Sequence, residues 1–351
     1  MEDNMFTTDN GGSRFRNHGC RIREYESYGI NMVSLENDLI KISIAAGKGA
    51  DIIELVHKPS DTEYLWHSFQ GMDAVHKISS IAPARGTFLD VYAGGWQELF
   101  PSYGGPANIN GANIGTHGEA CIYPWDYTIV ADSEDCISVS FSLRTLRSPF
   151  ELTKVFILRR NSGTIEISQS VKNLSATGQS FMWGHHPAFG YPFIDDSVQL
   201  HLSGKPVVTV PQGAIGQNCP FDTETTGEFP ILKDKQGNDI DMGKAYSSDS
   251  HIYMEYLINN LELGEYELIN HNKGLGVRMQ WDVKLFPNLW VWGMYCGHET
   301  YPWFGRAYTM AVEPLSCTVG NYEVARERGE LIDIRPGEII ETKVFCTLFE
   351  I

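Results

Sequence analysis

Residues 137–144 read ISVSFSLR, and this stretch decides the fold. Ile137, Val139, Phe141 and Leu143 alternate with Ser138, Ser140, Ser142 and Arg144, the period-two pattern of a strand with one face buried and one face wet. The same alternation recurs at Ile40, Ile42 and Ile44 and at Val198, Leu200 and Leu202. Further strand candidates are 153–158, 164–171, 253–257, 266–269, 289–295, 308–313 and 342–349. Gly, Pro, Asn and Asp punctuate them throughout. Helix periodicity is confined to NYEVARER at 321–328, with Asn321 able to cap it and Gly329 able to stop it. The pattern predicts an all-β chain, a large antiparallel β-sandwich with few short helices. No linker or internal repeat divides it, so residues 19–351 are expected to form one domain behind a flexible tail at 1–18.

The chain has 351 residues, 42% hydrophobic and 20% charged, enough to bury a large core. Against 27 Lys and Arg stand 44 Asp and Glu, a formal charge of −17 with no basic block. That balance argues against nucleic acid or an anionic membrane as partner. The opening residues are polar and acidic where a secretory signal is basic and then apolar, and no apolar run approaches ~20 residues, so a cytoplasmic protein is expected. Seven scattered cysteines show no metal or redox spacing. One segment is anomalous: Gly94 to Trp125 is rich in Gly, Asn and Pro yet carries Trp96, Phe100, Tyr103, Tyr123 and Trp125. A long irregular loop with that aromatic content is expected to be ordered and functional.

Three places combine titratable groups with aromatics: THGEACIYPW with His117 and Glu119, FMWGHHPAFG with His185 and His186, and MAVEPLS with Glu313. A glutamate and an imidazolium on separate strands suffice to open a hemiacetal ring, one removing the anomeric hydroxyl proton and the other protonating the ring oxygen. Consecutive strand residues face opposite ways, so only one of the two histidines can face a ligand. Gly184 shares a face with His186 and would leave room beside it, whereas Phe181 and Trp183 share a face with His185. Trp96, Trp125 and Trp292 are candidates to stack on a sugar, with Tyr123, Tyr301 and Trp303 behind them.

GGWQELFPSYG, then HGEACIYPW, then HPAF, then a strand ending in Glu-Pro, and a late PGE at 336–338 resemble the aldose 1-epimerase (galactose mutarotase-like) family, as a divergent member. The resemblance spans roughly residues 94–349 and implies a β-supersandwich with an open sugar cleft. By resemblance the general acid maps onto His186, the general base onto Glu313, and the histidine holding a sugar hydroxyl or ring oxygen onto His117. The expected activity is cofactor-independent interconversion of α and β anomers of a small-molecule sugar, with no metal; a homodimer is compatible with this. Where the family carries an arginine before Gly-Gly, Ala93 stands here, with Arg85 or Arg306 as substitutes. The family's aspartate has no clear match, and Glu119, beside His117, is read as a second hydroxyl-binding carboxylate. These departures motivate the alternative of a non-catalytic carbohydrate-binding protein. A metal-dependent isomerase using His117, Glu119 and His186 is disfavoured, because adjacent histidines on one strand cannot both reach one ion.

Overall fold

The computed structural model describes residues 16–72, 88–212, 216 and 218–351. Among them, twelve strands form one sheet and eight form a second, with three small two-stranded ribbons beside them. The eight-stranded sheet runs antiparallel through Val198–His201, Glu265–Asn270, Leu275–Trp281, Ile339–Glu350, Thr164–Asn173, Phe150–Arg159, Cys136–Arg144 and Asp126–Asp132. Its inward residues Phe141, Phe156, Ile167 and Val344 join Ile42, Phe189, Val291 and Val312 of the larger sheet in one continuous apolar cluster. The chain is therefore a sandwich held by two half-apolar faces meeting, each fully buried large side chain contributing about 1.5–3 kcal/mol.

The middle of the larger sheet positions the site. In spatial order it holds Asp51–His57, Trp96–Leu99, Gly184–Gly190, Tyr308–Leu315, Asn288–Tyr295 and Ile252–Asn259, every neighbouring pair antiparallel. Gly184–Gly190 is buried at every residue because both of its faces are covered. One face joins the sandwich core; the other packs into a second cluster of Trp66, Phe88, Tyr92, Ala188, Trp292, Trp303 and Ala311.

Each strand expected from the sequence is present, with ends shifted by a few residues. The expected helix is Tyr322–Arg328, where the Asn321 side chain accepts from the Val324 N–H at 3.1 Å and Gly329 closes the end in the left-handed region at φ 69°. Strands that were not expected include Arg21–Ser27, Ile30–Glu36, Asp51–His57, Asp126–Asp132 and Leu275–Trp281. The first is an edge strand with most side chains in water, and the second buries four consecutive residues, so neither alternates. The 94–125 segment is irregular only in part, opening with the strand Trp96–Leu99 and carrying the hairpin Ala107–Ile109 with Ala112–Ile114. Residues 1–15 of the expected tail lie outside the described residues, and Arg16 at its end ion-pairs with Asp132. Among the described residues no helix is long and apolar enough to cross a membrane.

Candidate active site

The outer face of the central strands floors a cavity of about 1190 Å³, lined by His186, Glu313, His117, Tyr92, Glu255 and Trp292 among others. His186 and Glu313 meet there because of strand register. Gly184 pairs with Leu315 and Ala188 with Ala311, so His186 stands opposite Glu313 on the adjacent strand, side chains on the same face. Nε2 of His186 lies 3.6 Å from Oε1 of Glu313, and both residues are buried. On the other side of the ring, Nδ1 is 3.4 Å from the Tyr92 hydroxyl.

Burial sets the protonation of this pair by disfavouring charge on both partners. It depresses the His186 imidazole to about 4. It also holds the Glu313 carboxyl well above the usual carboxylate range, with the nearby charge of Glu255 adding to the effect. In the free site the shared proton therefore sits on Glu313, facing a neutral imidazole. Moving it across gives imidazolium and carboxylate with the same total number of protons, so the pair can present an acid and a base without exchanging a proton with solvent.

His117 closes the cavity beside them. Its backbone is left-handed, at φ 62°, and its ring packs edge-on to Phe88 and His186 with centroids 4.4 and 5.6 Å away. The Gly104 N–H donates to its Nδ1 at 3.3 Å, which leaves the ring hydrogen on Nε2. Burial, reinforced by His186, depresses its pKa to about 3. At neutral pH His117 is thus an uncharged N–H donor.

The cavity also contains a carboxyl that sequence reading passed over. Glu255 lies on the strand Ile252–Asn259, opposite Trp292 in register. Its oxygens accept from the Tyr253 hydroxyl and, at 3.2 Å, from the Trp290 indole N–H. Burial raises its pKa. The signal was available, since Glu255 interrupts an otherwise apolar strand just as Glu313 does. Tyr92 carried no comparable signal, because its contact with His186 joins segments far apart in sequence. Among the aromatic candidates Trp292, Tyr301 and Trp303 line the cavity, as does Trp290, which was not singled out.

Several expected ligand contacts lie elsewhere. Trp96 points into the sandwich core, where its indole N–H donates to Nδ1 of His185 at 3.2 Å; strand parity puts both on the inner face, away from the cavity. Trp125 is also in the core, donating to the Ala120 carbonyl at 2.9 Å with the Lys154 ammonium over its ring. Glu119 is buried but turned away, accepting from the N–H groups of Leu146, Arg147 and Ser148 and from the Ser148 hydroxyl. It braces a turn and does not line the cavity. Gly184 makes no room for a ligand: a side chain there would meet Leu315 and the Pro314 carbonyl, so the glycine serves the close approach of two strands. Arg85 lies outside the described residues. Arg306 stacks on Phe69, 3.6 Å from the ring centroid. Among the described residues no group of His, Cys, Asp or Glu is arranged to hold a metal ion.

The fold is that of the galactose mutarotase-like proteins. A provisionally assigned aldose 1-epimerase from Klebsiella pneumoniae superposes with a TM-score of 0.72 at 14% identity, over 96% of this chain and 85% of that one. A galactose mutarotase-like protein from Clostridium acetobutylicum gives 0.65 at 15% identity, over 95% and 99% of the two chains. Another, from Lactobacillus casei, gives 0.60 at 18%, over 91% and 100%. No curated protein matches by sequence. The profile of one family, described as "Domain of unknown function (DUF4432)", matches residues 27–348.

Proposed function

The chain belongs to the DUF4432 family, and we propose that this member is an aldose 1-epimerase that needs no cofactor and interconverts the α and β anomers of a neutral sugar. The observation that carries the reading is the buried His186–Glu313 pair, 3.6 Å apart on the floor of an aromatic-walled cavity. The anomeric hydroxyl oxygen and the ring oxygen of a pyranose share one carbon, so a sugar whose C1 lies over this pair offers one oxygen to each group. One member of the pair takes the hydroxyl proton while the other protonates the ring oxygen; the C1–O5 bond opens to an aldehyde. Rotation about C1–C2 presents the other carbonyl face, and the reverse transfers close the ring with inverted configuration. His117, an uncharged donor beside the pair, is placed to hydrogen-bond a sugar oxygen, and Trp292 supplies an apolar wall. Among the described lining residues there is no Lys or Arg, which disfavours phosphorylated sugars.

The test is anomer exchange. Freshly dissolved α-glucose and α-galactose are followed by polarimetry or proton NMR with wild type, His186→Ala and Glu313→Gln protein. Wild-type exchange no faster than buffer would sink the enzymatic reading. Sugar binding retained without exchange would instead favour the non-catalytic carbohydrate-binding alternative.

A further inference from the structure

The aromatic cluster beside the cavity floor carries one polar group with no part in the proton transfers above. Tyr92 is fully buried and wedged among rings: Phe88 stacks on it with centroids 5.0 Å apart, and Trp66 and Trp303 stand at 5.6 and 6.0 Å. Its carbonyl accepts from the Ser68 hydroxyl at 2.6 Å, so its backbone is held as well. A buried tyrosine hydroxyl usually finds a hydrogen-bond partner, and here that partner is Nδ1 of His186 at 3.4 Å. Burial, reinforced by the charge of Glu313, holds the phenol well above its ordinary range, so Tyr92 keeps its proton.

The direction of that hydrogen bond governs what the opposite nitrogen can do. A neutral imidazole carries one ring hydrogen. If the phenol donated to Nδ1, the hydrogen would sit on Nε2, the nitrogen turned to Glu313, and Nε2 could not take the anomeric hydroxyl proton. If Nδ1–H donates to the phenol oxygen, Nε2 keeps its lone pair toward Glu313 and the sugar. Once Nε2 has taken the proton, both nitrogens carry hydrogen and Nδ1 has to donate. The same phenol oxygen then accepts from an imidazolium, and a hydrogen bond with a charged partner is roughly twice as strong as a neutral one. The backbone of His186 itself also hydrogen-bonds the ring, which makes it the competing acceptor for the Nδ1 hydrogen.

We infer that Tyr92 is a positioning residue for His186: its phenol oxygen accepts from Nδ1–H, fixing the tautomer whose bare Nε2 faces Glu313 and stabilising the imidazolium formed as the sugar ring opens. The effect on turnover rests on the epimerase reading above; the tautomer does not.

Two measurements test it separately. Nitrogen-15 NMR of histidine-labelled protein at neutral pH reads the tautomer, with the His186 signals identified by their loss in His186→Ala. Wild-type His186 should carry its hydrogen on Nδ1 and none on Nε2. Tyr92→Phe keeps the ring and removes the oxygen, and should turn this single tautomer into a mixture. In anomer exchange Tyr92→Phe should lower kcat by about five- to tenfold, the difference between a charged and a neutral hydrogen bond. KM should change by less than about twofold, because the phenol touches His186 and not the sugar. Thermal melts report that the fold is kept, and should the variant not fold, the wild-type spectrum still decides. A wild-type hydrogen on Nε2 overturns the proposal. An unchanged tautomer in Tyr92→Phe overturns it too, assigning the Nδ1 hydrogen to the backbone. If no sugar is exchanged by wild type while Tyr92→Phe still mixes the tautomers, the epimerase reading falls and the positioning role stands.

Discussion

Glu313 stands opposite His186 across one strand pairing, with Nε2 and Oε1 3.6 Å apart and no other acid–base pair of that geometry on the cavity floor among the described residues. Removal of either member should therefore disable proton transfer as a unit. His186→Ala and Glu313→Gln are each expected to lower kcat/KM for anomer exchange by about 10²–10⁴-fold. The double variant should be little worse than the poorer single variant, because a broken pair cannot be broken twice. Additive losses, measured by polarimetry on all three proteins, would show that the two groups act independently.

The pH dependence of exchange follows from burial. Because His186 is depressed to about 4, the pair does not take up a second proton until the pH falls to that region. The acid limb of kcat/KM should lie near pH 4 and not near the ordinary imidazole value of about 6.5. An acid limb between pH 6 and 7, in a profile corrected for spontaneous exchange, would show that His186 titrates as if exposed to water.

Glu255 raises the Glu313 carboxyl through its charge. Glu255→Gln removes that charge; its amide oxygen can accept from the Trp290 indole N–H, and its NH2 can donate to the Tyr253 hydroxyl oxygen. Glu313 should then ionise at lower pH, and the alkaline limb of the profile should move toward acid. An unmoved or oppositely moved limb would rule out electrostatic coupling between the two carboxyls.

His185, on the core side of the same strand, gives a stability prediction of definite sign. Its pKa is depressed to about 3 by burial, with Lys154 adding to the effect. The unfolded chain therefore binds a proton below about pH 6.5 that the native state refuses, and stability from this residue is lost as the pH falls. In urea unfolding, the stability of wild type relative to His185→Gln should decline by about 2 kcal/mol between pH 7 and pH 5. A pH-independent difference would place the imidazole in contact with water.

Glu119 is predicted to matter for folding. Its carboxylate receives three backbone N–H groups and the Ser148 hydroxyl. Glu119→Ala leaves these donors without their partner and should cost about 1–3 kcal/mol in chemical denaturation. Exchange should be affected far less than in His186→Ala; a loss as large would return Glu119 to the sugar site.

The two sheets were legible wherever one strand face is wet, as at 137–144, because alternation encodes that asymmetry directly. Gly184–Gly190 is covered on both faces, and its role was legible only through its paired histidines and the resemblance they carry. The choice of His186 over His185 as the residue facing the cavity agrees with strand parity, although the argument from Gly184 did not hold. Trp96 was assigned to the wrong face because its orientation depends on pairing with Gly184–Gly190, a contact that local sequence does not specify. The same non-locality hid Tyr92. Glu119 was misread for a different reason: a carboxylate beside a candidate histidine looks like a ligand group until its backbone partners, nearly thirty residues later in the chain, are known.

The pairing of Gly184–Gly190 with Tyr308–Leu315 has a kinetic consequence. Between these strands the chain lays down Val198–His201, Glu265–Asn270 and Leu275–Trp281 of the opposite sheet and Ile252–Asn259 and Asn288–Tyr295 of their own. Local structure can form early in renaturation, but the imidazole and the carboxyl come into register only after this long loop has closed, a step that non-local strand pairing makes slow. Recovered turnover during refolding would then act as a clock for completion of the central sheet, reading zero in any collapsed state whose secondary structure has outrun its topology.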